Sequence, residues 1–171
     1  MTTIVKFKKN VHLPRELEIM ILKFKHKNFV HHLINKYLSK DGKTLKLQPN
    51  TKHAQLIIDN LPIGIEYIYC SSNNLKSLDK LPDSVIDIDC SYNNITFLDN
   101  LPKGVTDIDC SYNNITFLDN LPDSVEYLYC SDNKIESLDN LPKGVTTSCL
   151  FSKQDIFPRQ PSCLCRVYFF Q

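Results

Sequence analysis

The sequence has no long hydrophobic run. Its longest apolar stretch near the N-terminus is the short segment 17–22, and no stretch approaches the ~18 apolar residues that a membrane-spanning helix needs. The first ten residues also lack the apolar core of a secretory signal. We therefore expect no membrane contact and a cytoplasmic protein, or one in the host cytoplasm if it is viral or an exported effector.

Residue patterns for catalysis and metal binding are also absent. No Ser/His/Asp or Cys/His set occupies comparable positions, and the acidic residues have no paired base. The seven cysteines include no CxxC spacing, and Cys163 and Cys165 alone are too sparse for a metal site. His26, His31 and His32 form no metal or catalytic set either. The sequence therefore predicts no enzymatic activity, no metal and no cofactor.

The net charge of +1 conceals two segments of opposite sign. Residues 1–48 carry eleven Lys and Arg against three acids, whereas residues 61–140 carry four Lys against fourteen acids. Such an asymmetry indicates two kinds of partner, or two solvated surfaces that also attract each other. Hydrophobic residues at 42% and charged residues at 23% are ordinary for a globular chain and suggest neither disorder nor a fibre.

Residues 61–140 consist of four units of 20 residues, with no insertion or deletion. The units are LPIGIEYIYCSSNNLKSLDK, LPDSVIDIDCSYNNITFLDN, LPKGVTDIDCSYNNITFLDN and LPDSVEYLYCSDNKIESLDN. Each contains V/I-xx-I/L-x-C-xx-N-x-I/L-xx-L. This period and these apolar positions predict stacked leucine-rich coils, each buried against its neighbours.

Alternating apolar residues at unit positions 7 to 11 predict one short strand per coil. Successive strands stack in parallel, ~4.8 Å apart. Inward cysteines behave as small hydrophobes, and an asparagine after each strand can satisfy backbone groups at the turn. The prolines that open each unit favour an extended, polyproline-like return on the outer side. The predicted structural rows are Cys70, Cys90, Cys110 and Cys130, and Asn73, Asn93, Asn113 and Asn133.

These units resemble the short leucine-rich repeats with the LPxxLxxLxxxxNxLxxL rhythm, as found in bacterial effectors of the Yersinia and Shigella type and in giant-virus repeat proteins. The resemblance rests on Leu-Pro, the spaced aliphatic residues and the asparagine. It implies a curved, right-handed solenoid that binds proteins on a concave face. The chain departs from the Shigella-type ligases because the sequence after residue 150 is too short for their catalytic domain.

Residues between the inward aliphatics are expected to face the concave side. These residues occupy unit positions 7 and 9, and at each of the two positions the four units carry Tyr, Asp, Asp and Tyr in turn. Two further tyrosines follow just beyond the strands. The predicted binding residues are Tyr67, Tyr69, Asp87, Asp89, Tyr92, Asp107, Asp109, Tyr112, Tyr127 and Tyr129.

Stacked like charges are unfavourable, so stability alone does not explain the four aspartates. They can be copies left by tandem duplication, a site for a basic protein segment or a site for a divalent cation. Nucleic acid is not expected as a partner, because this face repels phosphate. The leading hypothesis is therefore a non-enzymatic module that binds a partner protein.

The two ends have their own predictions. Residues 1–40 form two short helices that cap the first coil, residues 41–60 form a degenerate first coil, and residues 141–171 form a partial repeat with an irregular tail. The start Leu13-Pro14-Arg15-Glu16-Leu17 resembles an F-box. That resemblance implies the alternative function, a substrate adaptor that recruits a cullin-type ubiquitin ligase through a Skp-type linker.

Overall fold

Six short parallel strands form the sheet of the computed structural model, which describes residues 15–148. The strands are β1 (Thr44–Lys46), β2 (Tyr67–Tyr69), β3 (Asp87–Asp89), β4 (Asp107–Asp109), β5 (Tyr127–Tyr129) and β6 (Thr146–Ser148). Strands that are adjacent in sequence are adjacent in the sheet, and Ile88 lies opposite both Ile68 and Ile108. The predicted solenoid of stacked parallel strands is confirmed.

The hydrophobic core runs through all the coils as one cluster. In the first full unit Ile65, Ile68, Leu75 and Leu78 are all buried, and the equivalent residues are buried in the next two units. In the fourth unit Leu138 is only partly buried. Burial is continuous because each coil presents the same apolar positions to the coil on either side. Between residues 61 and 140 the returns contain turns and extended segments without a helix.

The coil before the first full unit contains β1 and a short helix, α2 (Ala54–Ile58). Strand β1 pairs with β2 in parallel, with Leu45 opposite Ile68. Ile57 and Ile58 of α2 are fully buried in the common core. Residues 44–58 thus add one more layer to the stack, although their sequence departs from the repeat.

A single helix, α1 (Arg15–Tyr37, 23 residues), precedes β1, so the prediction of two short helices is wrong. The polar residues 25–28 separate the two apolar runs, but none of them is a proline or glycine that would break a helix. Val30 and Ile34 in the C-terminal half of α1 are buried and join the core beside Leu45. This half of the helix covers the first coil.

The predictions for Leu13, Pro14, Cys163, Cys165 and the C-terminal tail lie outside the described residues. The F-box hypothesis therefore stays a prediction. Neither α1 nor α2, the helices of the described part of the chain, is long and apolar enough to cross a membrane.

Candidate functional site

The exposed side of the sheet is formed by two residues from each strand, on either side of one buried residue. In β3 and β4 the central isoleucines are buried, and the flanking aspartates are half-buried. The register places Asp87 opposite Asp107 and Asp89 opposite Asp109. We call this surface the acidic–aromatic face, which comprises Tyr67, Tyr69, Asp87, Asp89, Asp107, Asp109, Tyr127 and Tyr129.

No basic side chain neutralises the four aspartates within the described chain. Its ion pair joins Lys43 Nζ to Glu66 Oε1 at 2.7 Å, outside the acidic–aromatic face. Burial, and then the negative charge of Asp107, raise the pKa of Asp87 above its ordinary value. Like charges directly opposite each other on neighbouring strands destabilise a sheet. The fold therefore carries an electrostatic penalty at this site.

Hydrogen bonds distinguish the two positions of the aspartates. At the first position, the Tyr69 hydroxyl donates to Asp87 Oδ2 at 3.3 Å. At the second position, Asp89 Oδ1 accepts from the Ser91 backbone N–H at 3.0 Å and from Ser91 Oγ at 2.7 Å. Asp109 Oδ1 accepts from the Ser111 N–H at 3.0 Å. Asp89 and Asp109 thus also close the turn after each strand.

Sequence reasoning missed this turn-closing role of Asp89 and Asp109. The Asp-x-Ser spacing was its signal, because a short carboxylate commonly bonds the backbone N–H two residues later. The role explains an acceptor at the second position. It does not explain why both outward positions of β3 and β4 carry a negatively charged residue.

Tyrosines lie at both ends of the aspartate rows. Tyr67 and Tyr69 on β2 are half-buried, whereas Tyr127 and Tyr129 on β5 are 45% and 48% exposed. Burial, and then the nearby charge of Asp87, raise the pKa of Tyr69. The face therefore has an acidic centre between two aromatic borders.

The Tyr92 and Tyr112 rings stack beyond the strands, with centroids 4.2 Å apart and an interplanar angle of 8°. Both residues have a left-handed backbone, with φ of 53° and 56°. Asparagine, aspartate and glycine adopt this conformation more readily than tyrosine does. The backbone therefore does not account for tyrosine at these two positions. Both rings are exposed and extend the aromatic surface of the site.

The asparagines lie beneath the turn and join one coil to the next. Asn93 Oδ1 accepts from the backbone N–H groups of Asn73 and Leu75, at 3.0 and 2.9 Å. Its Nδ2 donates to the carbonyls of Cys70 and Cys90, at 3.1 and 2.9 Å. Equivalent bonds recur in the other coils and involve Asn73, Asn113 and Asn133. We call these four residues the asparagine row.

The four repeat cysteines are all buried, but they differ in bonding. Cys70, Cys90 and Cys110 are free, and burial raises the pKa of each thiol. Cys130 is in a disulfide, so the prediction of a free core thiol is wrong there. The strict repeat also ends at this coil. Strand β6 pairs with β5 at an offset of 19 residues, Tyr127 to Thr146, instead of 20.

Metal ligands are not clustered in the described part of the chain. Residues 15–148 contain no group of three or more His, Cys, Asp or Glu side chains placed to hold a metal ion.

The sequence repeat, the in-register parallel strands and the asparagine row define a leucine-rich repeat protein. Among solved structures, a Shigella effector LRR domain is similar, with a TM-score of 0.61 and 26% identity over 74% of this chain and 56% of that one. YopM from Yersinia enterocolitica WA-314 has a TM-score of 0.49 and 32% identity over 53% of this chain and 20% of that one. No protein-family model and no curated protein matches.

The chain is thus a leucine-rich repeat protein that resembles the repeat domains of bacterial effectors. It spans little more than half of the Shigella domain, at 56%. Repeat domains of this kind generally act as protein-interaction modules, because stacking many short strands produces one extended surface.

Proposed function

We propose that the protein is a non-enzymatic interaction module that binds a basic segment of a partner protein on its acidic–aromatic face. The observation that carries this proposal is the in-register stacking of Asp87 with Asp107 and of Asp89 with Asp109, with no basic partner among residues 15–148. A cationic ligand would remove the repulsion and gain attraction at the same site.

Tandem duplication and turn closure are the two alternative explanations for the aspartates, and each accounts for only part of the acidic–aromatic face. Copying one unit explains why β3 and β4 carry the same residues, but not why the flanking units carry tyrosine at both strand positions. Turn closure explains an oxygen acceptor at Asp89 and Asp109, but not the charges at Asp87 and Asp107. Exposed tyrosines beside unpaired charge are typical of binding surfaces.

The spacing of the face fits an extended ligand that crosses the strands. Strands lie ~4.8 Å apart, so the tyrosines of β2 and β5 are each ~7 Å from the midline between the two aspartate strands. Side chains on one face of an extended peptide repeat every ~6.8 Å. The face therefore fits a Lys or Arg at the centre of a segment, with apolar side chains two residues before and after it.

Synthetic peptides with this pattern test the proposal directly. We expect a peptide with Leu-x-Arg-x-Leu to bind the protein, and the same peptide with a central Glu to fail. Binding measured by fluorescence anisotropy should weaken as salt rises, because these charges are screened over ~8–10 Å at ordinary ionic strength. Tyr69→Ala and Tyr129→Ala should each weaken binding with little change in salt dependence.

A control variant with the same change in net charge tests whether binding depends on where the acidic residues lie. Changing Asp87, Asp89, Asp107 and Asp109 to Asn should abolish binding of the peptide and of natural partners captured for mass spectrometry. The control changes four exposed acids outside the face, Asp79, Asp83, Asp123 and Glu136, to their amides. It should retain wild-type affinity. Equal binding by both quadruple variants would refute the proposed site.

A further inference from the structure

The N-terminal half of α1 presents apolar side chains to solvent. Leu17, Met20 and Phe24 follow at helical spacing, and Met20 and Phe24 are 59% and 66% exposed. The buried contacts of α1 come instead from Val30 and Ile34 in its second half. Residues at spacings of three and four share one face of a helix. This apolar stripe is therefore separate from the face that packs on the first coil.

Exposed lysines accompany the stripe. Lys23, Lys25 and Lys27 lie within one and a half turns, while the acids of this half, Glu16 and Glu18, lie in the first turn. None of these lysines belongs to the ion pair found in the described chain. The segment therefore offers a basic end beside exposed apolar residues, which is the chemistry that the acidic–aromatic face requires.

The dimensions of the two surfaces also agree. Lys23 to Lys27 spans ~6 Å along a helix, close to the ~4.8 Å between the two aspartate strands. Met20 shares a helix face with Lys23 and Lys27 and lies ~7.5 Å along the axis from the midpoint between these two lysines. That distance matches the ~7 Å from the aspartate midline to the tyrosines of an outer strand. A helix laid across the strands would thus place lysines over aspartates and Met20 over a tyrosine border.

A helix of the same molecule is poorly placed to make this contact. Val30 and Ile34 anchor α1 in the core beside Leu45, at the end of the stack that precedes β2. Moving the helix onto β3 and β4 of its own chain would expose these core residues to water. A second copy can present its helix without that loss.

We propose that α1 of one copy binds the acidic–aromatic face of a second copy. This inference rests on the proposed function, because it names one basic segment that the face accepts. Each copy has one helix and one face, so the contact is head-to-tail and can extend beyond a dimer. The opposite charges of residues 1–48 and 61–140 make the association sensitive to salt.

Two complementary variants test the contact in the intact chain. The helix variant carries Lys23→Glu, Lys25→Glu and Lys27→Glu, and the face variant carries Asn at Asp87, Asp89, Asp107 and Asp109. By sedimentation velocity at low salt, we expect wild type to form concentration-dependent oligomers that dissociate at high salt. Each variant alone should be monomeric. An equimolar mixture should form a 1:1 heterodimer and nothing larger, because it retains one intact helix and one intact face.

Two controls test whether a loss of self-association comes from misfolding or from the change in net charge. Lys76→Glu, Lys80→Glu and Lys103→Glu change three exposed lysines elsewhere and should leave self-association intact. Circular dichroism of each variant should match wild type. Replacing Leu17, Met20 and Phe24 with Ser should also give a monomer, without reversing any charge.

Distinct outcomes separate this inference from the function on which it rests. A wild-type protein that binds the Leu-x-Arg-x-Leu peptide but stays monomeric at every salt concentration overturns the self-association alone. A variant mixture that remains monomeric, or a face variant that still assembles, also overturns it. A wild-type protein that neither binds the peptide nor self-associates overturns both proposals.

Discussion

The asparagine row and the aspartates of the acidic–aromatic face repeat with the same 20-residue period, yet their environments are opposite. Asn93 and Asn113 are buried, and every polar atom of their side chains has a partner. Asp87 and Asp107 are half-buried at the surface and lie opposite a like charge. One row connects successive coils, whereas the other makes successive coils repel.

The comparison shows that periodicity alone does not separate structural from functional residues. Both rows arise from the same repeat, and both are polar. What separates them is whether the fold satisfies the groups it aligns. No buried side-chain nitrogen or oxygen lacks a partner among the described residues, so unsatisfied chemistry is confined to the surface. The four aspartates lie at that surface: they accept hydrogen bonds, but their negative charges have no basic partner among residues 15–148.

Removing one member of the asparagine row should give the largest loss of stability. Asn113→Ala deletes three donated bonds and leaves the Ile95 N–H, now bonded to Asn113 Oδ1 at 2.9 Å, without an acceptor. Each buried unsatisfied group costs ~1–3 kcal/mol. We expect a loss of about 3 kcal/mol in urea unfolding.

The control for the asparagine row is an asparagine outside the core. Asn120 is exposed and donates one bond to Asp99 Oδ1 at 2.7 Å. Asn120→Ala should change stability by less than about 0.5 kcal/mol. If the two alanine variants unfold at the same urea concentration, the contrast between the buried and exposed polar rows is wrong.

A smaller loss is expected when the neighbouring cysteine is changed. Cys110 Sγ is fully buried and lies 3.3 Å from the Tyr129 carbonyl oxygen. A serine hydroxyl can keep a donor near this carbonyl but brings a more polar group into an apolar core. We expect Cys110→Ser to destabilise the protein by ~1–2 kcal/mol in urea unfolding, less than Asn113→Ala. If Cys110→Ser lost more stability than Asn113→Ala, the thiol and not the asparagine would make the more stabilising contacts.

Most of the solenoid could be predicted because it follows from local repetition. The spacing of Ile68, Cys70 and Asn73 predicts the strand, the core and the turn, since each coil meets a near copy of itself. The continuous helix α1 could not be predicted from its apolar pattern. Its two apolar runs occupy different faces, and only contact with the first coil determines which run is buried.

The candidate site was less predictable than the fold. Alternation predicts that Asp87 and Asp89 face outward, and the structure places them there. The roles of Ser91 and Thr106 as partners of neighbouring carboxylates depend on side-chain rotamers, which repetition does not determine. The disulfide at Cys130 depends on a pairing that cysteine spacing alone does not specify.

The smallest predicted effect has the opposite sign and concerns Asp87. Because its pKa is raised in the folded protein, the folded state holds its proton more tightly than the unfolded state does. Wild-type stability should therefore fall as pH rises from the ordinary aspartate value of 3.8 through the raised folded value, and this cost is absent below both. Asp87→Asn keeps an oxygen acceptor for Tyr69 but removes the charge. We expect it to stabilise the protein by a few tenths of a kcal/mol at pH 7, and by less at pH 3.

Urea unfolding of wild type and Asp87→Asn at the two pH values measures this difference. Asp83→Asn is the matched control, because Asp83 is exposed and lies outside the acidic–aromatic face. It should not reproduce the gain at pH 7. A loss of stability in Asp87→Asn at pH 7 would mean that the carboxylate stabilises the fold through its hydrogen bond with Tyr69. The aspartate rows would then resemble the asparagine row, and their repulsion would no longer argue for a cationic partner.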